Sequence, residues 1–447
     1  MPMTAVSDHV GPAQGRARAF LDLRAAMLLV VANMIGTGVF TTLGLQAAGV
    51  QDGAALLLLW LLGGLIALCG ALSYAELAAA LPRSGGEYHF LSRIYGPRLG
   101  ELAGWVSATV GFAAPMALAA MAFGRYAGTV VPLSPLWLGL GAVTLISLLH
   151  AADLDLGRRF QVLATLLKVA LILVFCAAGL LAPAAAGTLP AVPGRETLAA
   201  VFSFPFGLSL IYVSYAYSGW NAATYVTGEV IEPQRQVPRA LLLGTGLVTA
   251  LYLLLNLVFL RSVSLADLAG TVEVGAVSAA HIFGLEGGRV MSVALSLLLV
   301  STISAMALAG PRVIETMAED LPALRFLGAR THRGAPLRAV LLLWAIATGL
   351  IVTDAFAAVL GFAGFTLVVF SLLTVLGVIR LRRREPGLPR PFRVPWYPLP
   401  PLLFALLAVL GLAVVALSET LAVVLGMAAL GLAWLGLAWW HGGREAA

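Results

Sequence analysis

Few residues in this chain are placed to do chemistry inside an apolar environment. Lys168 is the only lysine among 27 basic residues, and it lies within an apolar run that includes Gln161 and Thr165. An ammonium in hydrocarbon costs about 2.5–3.5 kcal/mol on insertion scales, so it should face a partner or a cavity. A lysine held there can also exchange a proton, which the arginines used elsewhere cannot. The competing reading is a side chain that snorkels to the nearer interface, about eight residues away.

The second candidate is backbone. Ile35-Gly36-Thr37-Gly38 interrupts the first long apolar segment, and each glycine costs a helix about 1 kcal/mol against alanine. In lipid, non-helical backbone persists only where protein or a cavity satisfies its amides and carbonyls. A break here would aim the amides of Thr37, Gly38 and Val39 at a carboxylate, from the positive end of the following half-helix. Carbonyls ending the preceding half, at Met34 and Ile35, suit an ammonium. Tyr215-Ala216-Tyr217-Ser218-Gly219-Trp220-Asn221 interrupts a later apolar run, adding the carbonyls of Tyr215 and Ala216. An α-amino acid carries both charges on one carbon. The alternative is that these glycines only let helices pack closely; two breaks at matching positions weigh toward a site.

The elements that must position these residues are membrane helices. The 447 residues are 60% hydrophobic and 11% charged, with a mean hydropathy of +0.97. Soluble domains carry about 25% charged residues. Apolar segments fall at 25–50, 54–80, 100–131, 136–152, 160–182, 198–228, 238–260, 282–310, 337–353, 355–379, 398–417 and 420–440, which predicts twelve spans and an all-α polytopic fold. The polar start up to Phe20 precedes no cleavage-like site, so the first segment reads as a retained span. Cys69 and Cys176 lie in apolar segments and imply neither a disulfide framework nor a metal site.

Charge sets the topology. With the N-terminus inside, 22 of the 27 basic residues fall on cytoplasmic segments, among them Arg158, Arg239, Arg312 and Arg382. Arg195, Arg261 and Arg289 fall outside, and Arg125 lies near an outer end. This is the positive-inside bias, so the net charge of +6 is topological and a nucleic-acid reading falls away. Setting Gly36 against Gly219 aligns spans 2 and 3 with spans 7 and 8 at similar offsets, after which the register slips by about 20 residues at the loop 312–336; the alternative is that twelve helices of similar length give such offsets by chance. Five spans per unit is odd, so the second unit is inverted; inverted repeats with paired broken helices mark transporters.

The acidic residues narrow the ligand. All 21 fall in loops or near span ends, Glu76 and Glu101 being nearest the apolar interior. No mid-membrane carboxylate is expected to pair with a cationic side chain, and no histidine or carboxylate set offers a metal site there, so a net-neutral ligand fits. Tyr215, Tyr217, Trp220, Phe362 and Phe365 are candidates to shape or gate an apolar pocket, or are ordinary packing residues.

These residues resemble the amino acid–polyamine–organocation (APC) superfamily, and within it the bacterial L-type-like amino acid permeases. The resemblance rests on Ile35 to Phe40, Tyr74-Ala75-Glu76-Leu77, Pro82-Arg83-Ser84-Gly85-Gly86-Glu87-Tyr88, Ser218-Gly219-Trp220-Asn221, Glu229 to Pro233, Val237-Pro238-Arg239, Gly310-Pro311-Arg312 and Arg390 to Pro395. It implies a LeuT-type fold of five plus five inverted spans with two C-terminal helices appended. The divisions would be a cytoplasmic tail 1–24, repeats 25–182 and 198–379, and spans 11–12 at 398–440. It also implies that Gly36, Thr37 and Gly38 bind the substrate carboxylate, and that Ile35, Tyr215, Ala216 and Ser218, beside Gly219, serve the amino group. Tyr215 takes the place of an aromatic gate that is usually phenylalanine or tryptophan, and Thr37 that of a common serine. Lys168 matches a lysine that replaces the second sodium ion of sodium-coupled relatives, with Ser301 and Thr302 as expected partners near Gly36.

The resulting expectation is sodium-independent transport of neutral L-amino acids across the plasma or inner membrane by alternating access. The chain would work as an exchanger or a proton symporter, with both termini cytoplasmic and no cofactor. A non-transporting amino acid receptor on the same fold is the competing class. A membrane enzyme is disfavoured, because no nucleophile–base or metal constellation falls in the apolar core.

Overall fold

A computed structural model of the chain describes residues 21–185, 193–271 and 273–418. The expected span at 420–440 and nearly all of the N-terminal tail lie outside the described residues.

The first apolar segment is two helices, α1 (Leu23–Met34) and α2 (Gly38–Gly49), with Ile35, Gly36 and Thr37 between them. Asp22 caps α1 through the Ala25 amide at 2.8 Å, and Asp52 caps α3 (Gly53–Ala80) through Ala55 at 2.6 Å. The turn before α4 (Glu87–Tyr95) holds Gly85 and Gly86 at φ 109° and 52°, where glycine is favoured. α5 (Pro97–Val106) continues through a π-helical stretch, Ser107–Ala113, into α6 (Ala114–Gly128). α7 (Pro135–Ala152) and α8 (Leu154–Leu181) follow.

The second half begins with α9 (Arg195–Val201) and α10 (Phe204–Ala216), bent by 68° to each other. It continues through α11 (Pro233–Ser262), the short α12 (Leu265–Leu268) and α13 (Val274–Phe283), and α14 (Leu285–Asp320). α15 (Leu337–Val352), α16 (Phe356–Arg384) and α17 (Leu399–Ser418) complete it. Among the described residues, eight helical stretches are long and apolar enough to cross a membrane, or nine if α9 and α10 form one span; α13, α15 and α17 add shorter apolar helices.

Three boundaries differ from the sequence reading. The run expected over 198–228 is α-helical only to Ala216; Gly219 then takes φ 95° and the chain continues as 3-10 turns over Ala222–Glu229. α14 runs to Asp320 and α16 to Arg384, past the expected ends at 310 and 379. Hydropathy stops at the first charges, but a helix need not, because here the arginines of these last turns find carboxylates. Arg312 pairs with Glu229 at 2.6 Å and Arg382 with Glu76 at 2.5 Å.

The helices containing the breaks occupy the centre. α1 packs on α8, α11 and α14, while α10 packs on α2, α3 and α17. α8 instead turns Leu163, Val174 and Leu181 outward, 69%, 67% and 88% exposed. An apolar face of that kind suits hydrocarbon rather than water.

Candidate functional site

The two breaks touch. A Cβ on Gly38 would lie 2.7 Å from the Ala216 Cα, and one on Gly219 would lie 2.7 Å from the Asn33 carbonyl oxygen. Close packing therefore accounts for these two glycines. It does not account for Gly36, where an added Cβ would meet only the Thr302 methyl, at 3.6 Å. Gly36 lines a cavity of about 120 Å³, many times the 10–15 Å³ or so that one water needs.

Of the expected site residues, Gly36, Thr37, Gly38, Tyr215, Ala216, Ser218, Gly219 and Thr302 line this cavity; Ile35, Lys168 and Ser301 do not. Tyr217, Trp220 and Phe365 also line it, whereas Phe362 is not part of its wall. The amides of Thr37, Gly38 and Val39 have no backbone partner among the described residues. They are the first amides of α2 and the positive end of its dipole. The Tyr215 hydroxyl engages the Thr37 side chain beside them. No Asp, Glu, Lys, Arg or His lines the cavity among the described residues.

The carbonyls at the breaks are partly engaged within the protein. Tyr217 and Ser218 amides close onto Val213 and Tyr215 carbonyls at 2.9 Å, and the Gly36 amide onto Met34 at 2.9 Å. The Tyr252 hydroxyl lies 2.6 Å from the Met34 carbonyl and 2.9 Å from that of Ala216, so it spans both breaks. One hydroxyl proton serves only one of these acceptors at a time. Tyr252 is a site residue that sequence reasoning missed: a tyrosine in the apolar run of α11 carries no periodic signal.

Lys168 sits behind the first break, fully buried. Its ammonium donates to the Ile35 carbonyl at 2.6 Å and to the Thr302 hydroxyl at 2.9 Å, with the Ala32 carbonyl at 3.4 Å. Thr302 also donates to Ile35, at 3.0 Å. The side chain does not snorkel; it ties α8 to the end of α1 and to α14. Ser301 faces elsewhere, buried with no hydrogen-bond partner for its hydroxyl among the described residues.

Loop carboxylates come closer to the cavity than the sequence suggests. Glu87, in the short helix α4, is 1% exposed. Its Oε1 accepts from the Tyr74 hydroxyl at 2.5 Å and from Asn221 Nδ2 and Ser371 Oγ, both at 3.3 Å. Asn221 and Ser371 line the cavity, so Glu87 lies one side chain behind its wall. Burial pushes the Glu87 carboxyl up to about 7, against the opposing effect of its three donors. The sequence placed this residue in a loop and could not show that the loop folds inward.

Comparison with known proteins decides the family. Residues 21–432 match the model described as amino acid permease.

The chain belongs to the amino acid permease family.

This permease is 29% identical over 401 residues to the serine/threonine exchanger SteT of Bacillus subtilis (strain 168), covering 86% of this chain and 88% of that one. It is 27% identical over 402 residues to the large neutral amino acids transporter small subunit 2 of Homo sapiens, covering 84% and 72%. The b(0,+)-type amino acid transporter 1 of Homo sapiens is 26% identical over 388 residues, covering 84% and 78%. The permease is thus an APC-superfamily membrane protein of amino acid transport.

Proposed function

We propose that the permease moves neutral L-amino acids across the cell membrane by alternating access, without sodium, as an exchanger or a proton symporter. The observation that carries this reading is the cavity itself. Two broken helices line it, Thr37 and Gly38, whose amides have no backbone partner among the described residues, bound it, and no ionisable side chain except tyrosine faces it among the described residues. The amides suit the α-carboxylate. Carbonyls around Ala216 and Ser218 suit the α-ammonium, with the Tyr252 hydroxyl free to yield one of its two acceptors. A cationic or anionic side chain would enter such a wall unpaired, at a cost that neutral side chains avoid. Tyr215, which lines the cavity and engages the Thr37 side chain, is the gate.

Sodium independence rests on Lys168. A cation binding between α1 and α14 would need the oxygens of Ile35 and Thr302, and both already hold an ammonium. The relatives named for serine/threonine exchange and for large neutral amino acids support a neutral substrate. The pairing of α1–α2 with α10 and its 3-10 continuation supports the repeat of five plus five spans, with two more to make twelve. The arginine-rich end is then cytoplasmic and holds both termini.

Counterflow of labelled L-serine, L-alanine, L-leucine, L-lysine and L-glutamate into proteoliposomes tests the reading, with and without sodium and a pH gradient. Flux of the first three, unaltered by sodium, is expected. Binding without flux would point to a receptor instead, and preference for lysine or glutamate would overturn the neutral assignment.

A further inference from the structure

Among the buried carboxylates at the arginine-rich end of the permease, Glu76, Glu229 and Glu87 are treated differently. Glu76, 2% exposed, is held by Arg382 at 2.5 Å, by Arg390 at 3.4 Å and by the Val394 amide at 2.7 Å. Glu229, 5% exposed, has Arg312 at 2.6 Å. Glu87 is the most buried of the three, and no cation pairs with it among the described residues. Its Oε1 receives three neutral donors, two of them at 3.3 Å, while its Oε2 is buried with no partner among the described residues. A buried charge without a counter-charge is held only at a cost, and a group in that position neutralises instead.

The ionisable neighbours do not change this. From α3 Glu87 meets Tyr74, from the 3-10 turns Tyr225, and from α16 only Ser371, with Thr374 beside Tyr74. On its own helix, Tyr88 is bonded to Asp320 at 2.9 Å. His89, lowered to about 4 chiefly by burial, is neutral. Arg93 is taken by Glu385 at 2.7 Å. Glu101 of α5 and Asp320 of α14 act on Tyr88. The arginines of α16 are turned away: Arg380 lies over the Tyr95 ring, Arg382 on Glu76 and Arg384 on the Ile94 carbonyl.

Position links this group to the cavity and to the part of the helix that must move. Asn221 and Tyr225 belong to the segment that follows the second break, and both line the cavity with Ser371. The Gly85 and Gly86 amides reach the Tyr225 and Thr224 carbonyls at 3.4 and 3.3 Å. A Cβ on Gly86 would lie 2.6 Å from the Tyr225 ring. Glu87 therefore rides on the same turns that close the cavity at this end.

We propose that Glu87 is a proton-binding site of the transport cycle. It holds a proton while Asn221, Tyr225 and Ser371 shut it from water, and releases it to the cytoplasm when those residues part. The step is a simple deprotonation: the Oε2–H bond breaks, water takes the proton as hydronium, and the carboxylate left behind is hydrated through the opened wall. This rests on the transport reading above and adds to it the group that exchanges the proton at the inner end. The pKa of the closed form, raised to about 7 by burial, agrees with the geometry, and hydration on opening lowers it, so that opening drives release at neutral pH.

The test uses full-length permease in proteoliposomes and labelled L-serine, L-alanine and L-leucine, with internal pH varied between about 5 and 9. Wild-type counterflow should change several-fold around an internal pH near 7, and in Glu87→Gln that dependence should be lost. Tyr74→Phe removes the short donor that favours the ionised form, so its midpoint should move upward. Infrared titration of the protonated carboxyl band in detergent gives a readout that needs no transport. The band should titrate near 7 in wild type, shift upward in Tyr74→Phe and vanish in Glu87→Gln. An unaltered pH profile in Glu87→Gln, or no carboxyl titrating near 7 in wild type, would overturn the proposal. Absence of wild-type flux would sink the transport reading instead, and the infrared titration would still decide the proton site.

Discussion

Gly219 and Glu87 show how much a single residue constrains this molecule. Gly219 holds φ at 95° with its Cα pressed toward the Asn33 carbonyl, and a methyl there would come within 2.7 Å of that oxygen. Gly219→Ala therefore combines left-handed strain with a backbone clash. A loss of about 1–3 kcal/mol is expected, read as a lower melting temperature in detergent, together with at least tenfold slower counterflow. Wild-type stability and flux in this variant would show that the break relaxes freely. Glu87 makes a prediction about pH. Its folded carboxyl is raised from 4.5 to about 7 by burial, so between those values the folded state binds more protons than the unfolded chain. The sign follows: this contribution is fully present below 4.5 or so, falls as pH rises, and is gone above about 7. The melting temperature of Glu87→Gln should lack the part of the decline from acid to neutral pH that wild type shows. Equal slopes in the two proteins would refute the assignment.

At the scale of elements, the breaks and the ammonium are one device. Lys168 on α8 binds the end of α1 and Thr302 of α14, while Tyr252 on α11 spans the ends of α1 and α10. Lys168→Ala leaves the Ile35 carbonyl with Thr302 alone and removes the tie from α8. It is expected to abolish counterflow or uncouple it from a pH gradient, while the protein remains monodisperse in detergent. Unaltered flux and pH response would remove Lys168 from the mechanism. The breaks and Lys168 were legible in the sequence because each is an exception: glycines in an apolar helix, and one lysine against arginines. Thr302 over Ser301 was not legible, because neighbours on a helix point about 100° apart and only tertiary packing sets that phase. Tyr252 was hidden for a related reason, since an aromatic residue suits an apolar span whether or not its hydroxyl does anything. The inward fold of Glu87 depends on contacts with Tyr74, Asn221 and Ser371, each distant in sequence. The extension of α14 and α16 past their expected ends depends likewise on partners that hydropathy does not see.

Across the whole molecule, the arginines that mark one end of the bundle also wire it together. Arg312 of α14 lies 3% exposed between Glu229 and Glu315, at 2.6 and 2.7 Å, and Arg330 reaches Glu315 at 2.6 Å. Arg83 grips Asp320 at 2.8 Å and Glu319 at 3.1 Å. The Arg83 and Glu319 side chains are 39% and 71% exposed, so that pair adds little, as solvated ion pairs do. The Arg312 cluster is different, because its charges are out of water. Arg312→Met would leave Glu229 and Glu315 buried with only Arg330 between them, at a cost of about 3–5 kcal/mol. Glu229→Gln on that background removes one of the stranded charges and should recover part of the loss, giving a coupling of about 0.5–3 kcal/mol in a double-mutant cycle. The same contacts join the turns after the second break to α14, so weakening them should favour opening at this end. A cysteine at Ser371, in a background with Cys69 and Cys176 replaced, would then react faster with a thiol reagent in Arg312→Met than in its parent. In the double variant its rate should stay high while stability partly returns, because the link from Glu229 to α14 is still missing. If instead Arg312→Met costs no stability and the rate at Ser371 does not change, the cluster holds neither the fold nor the closed end.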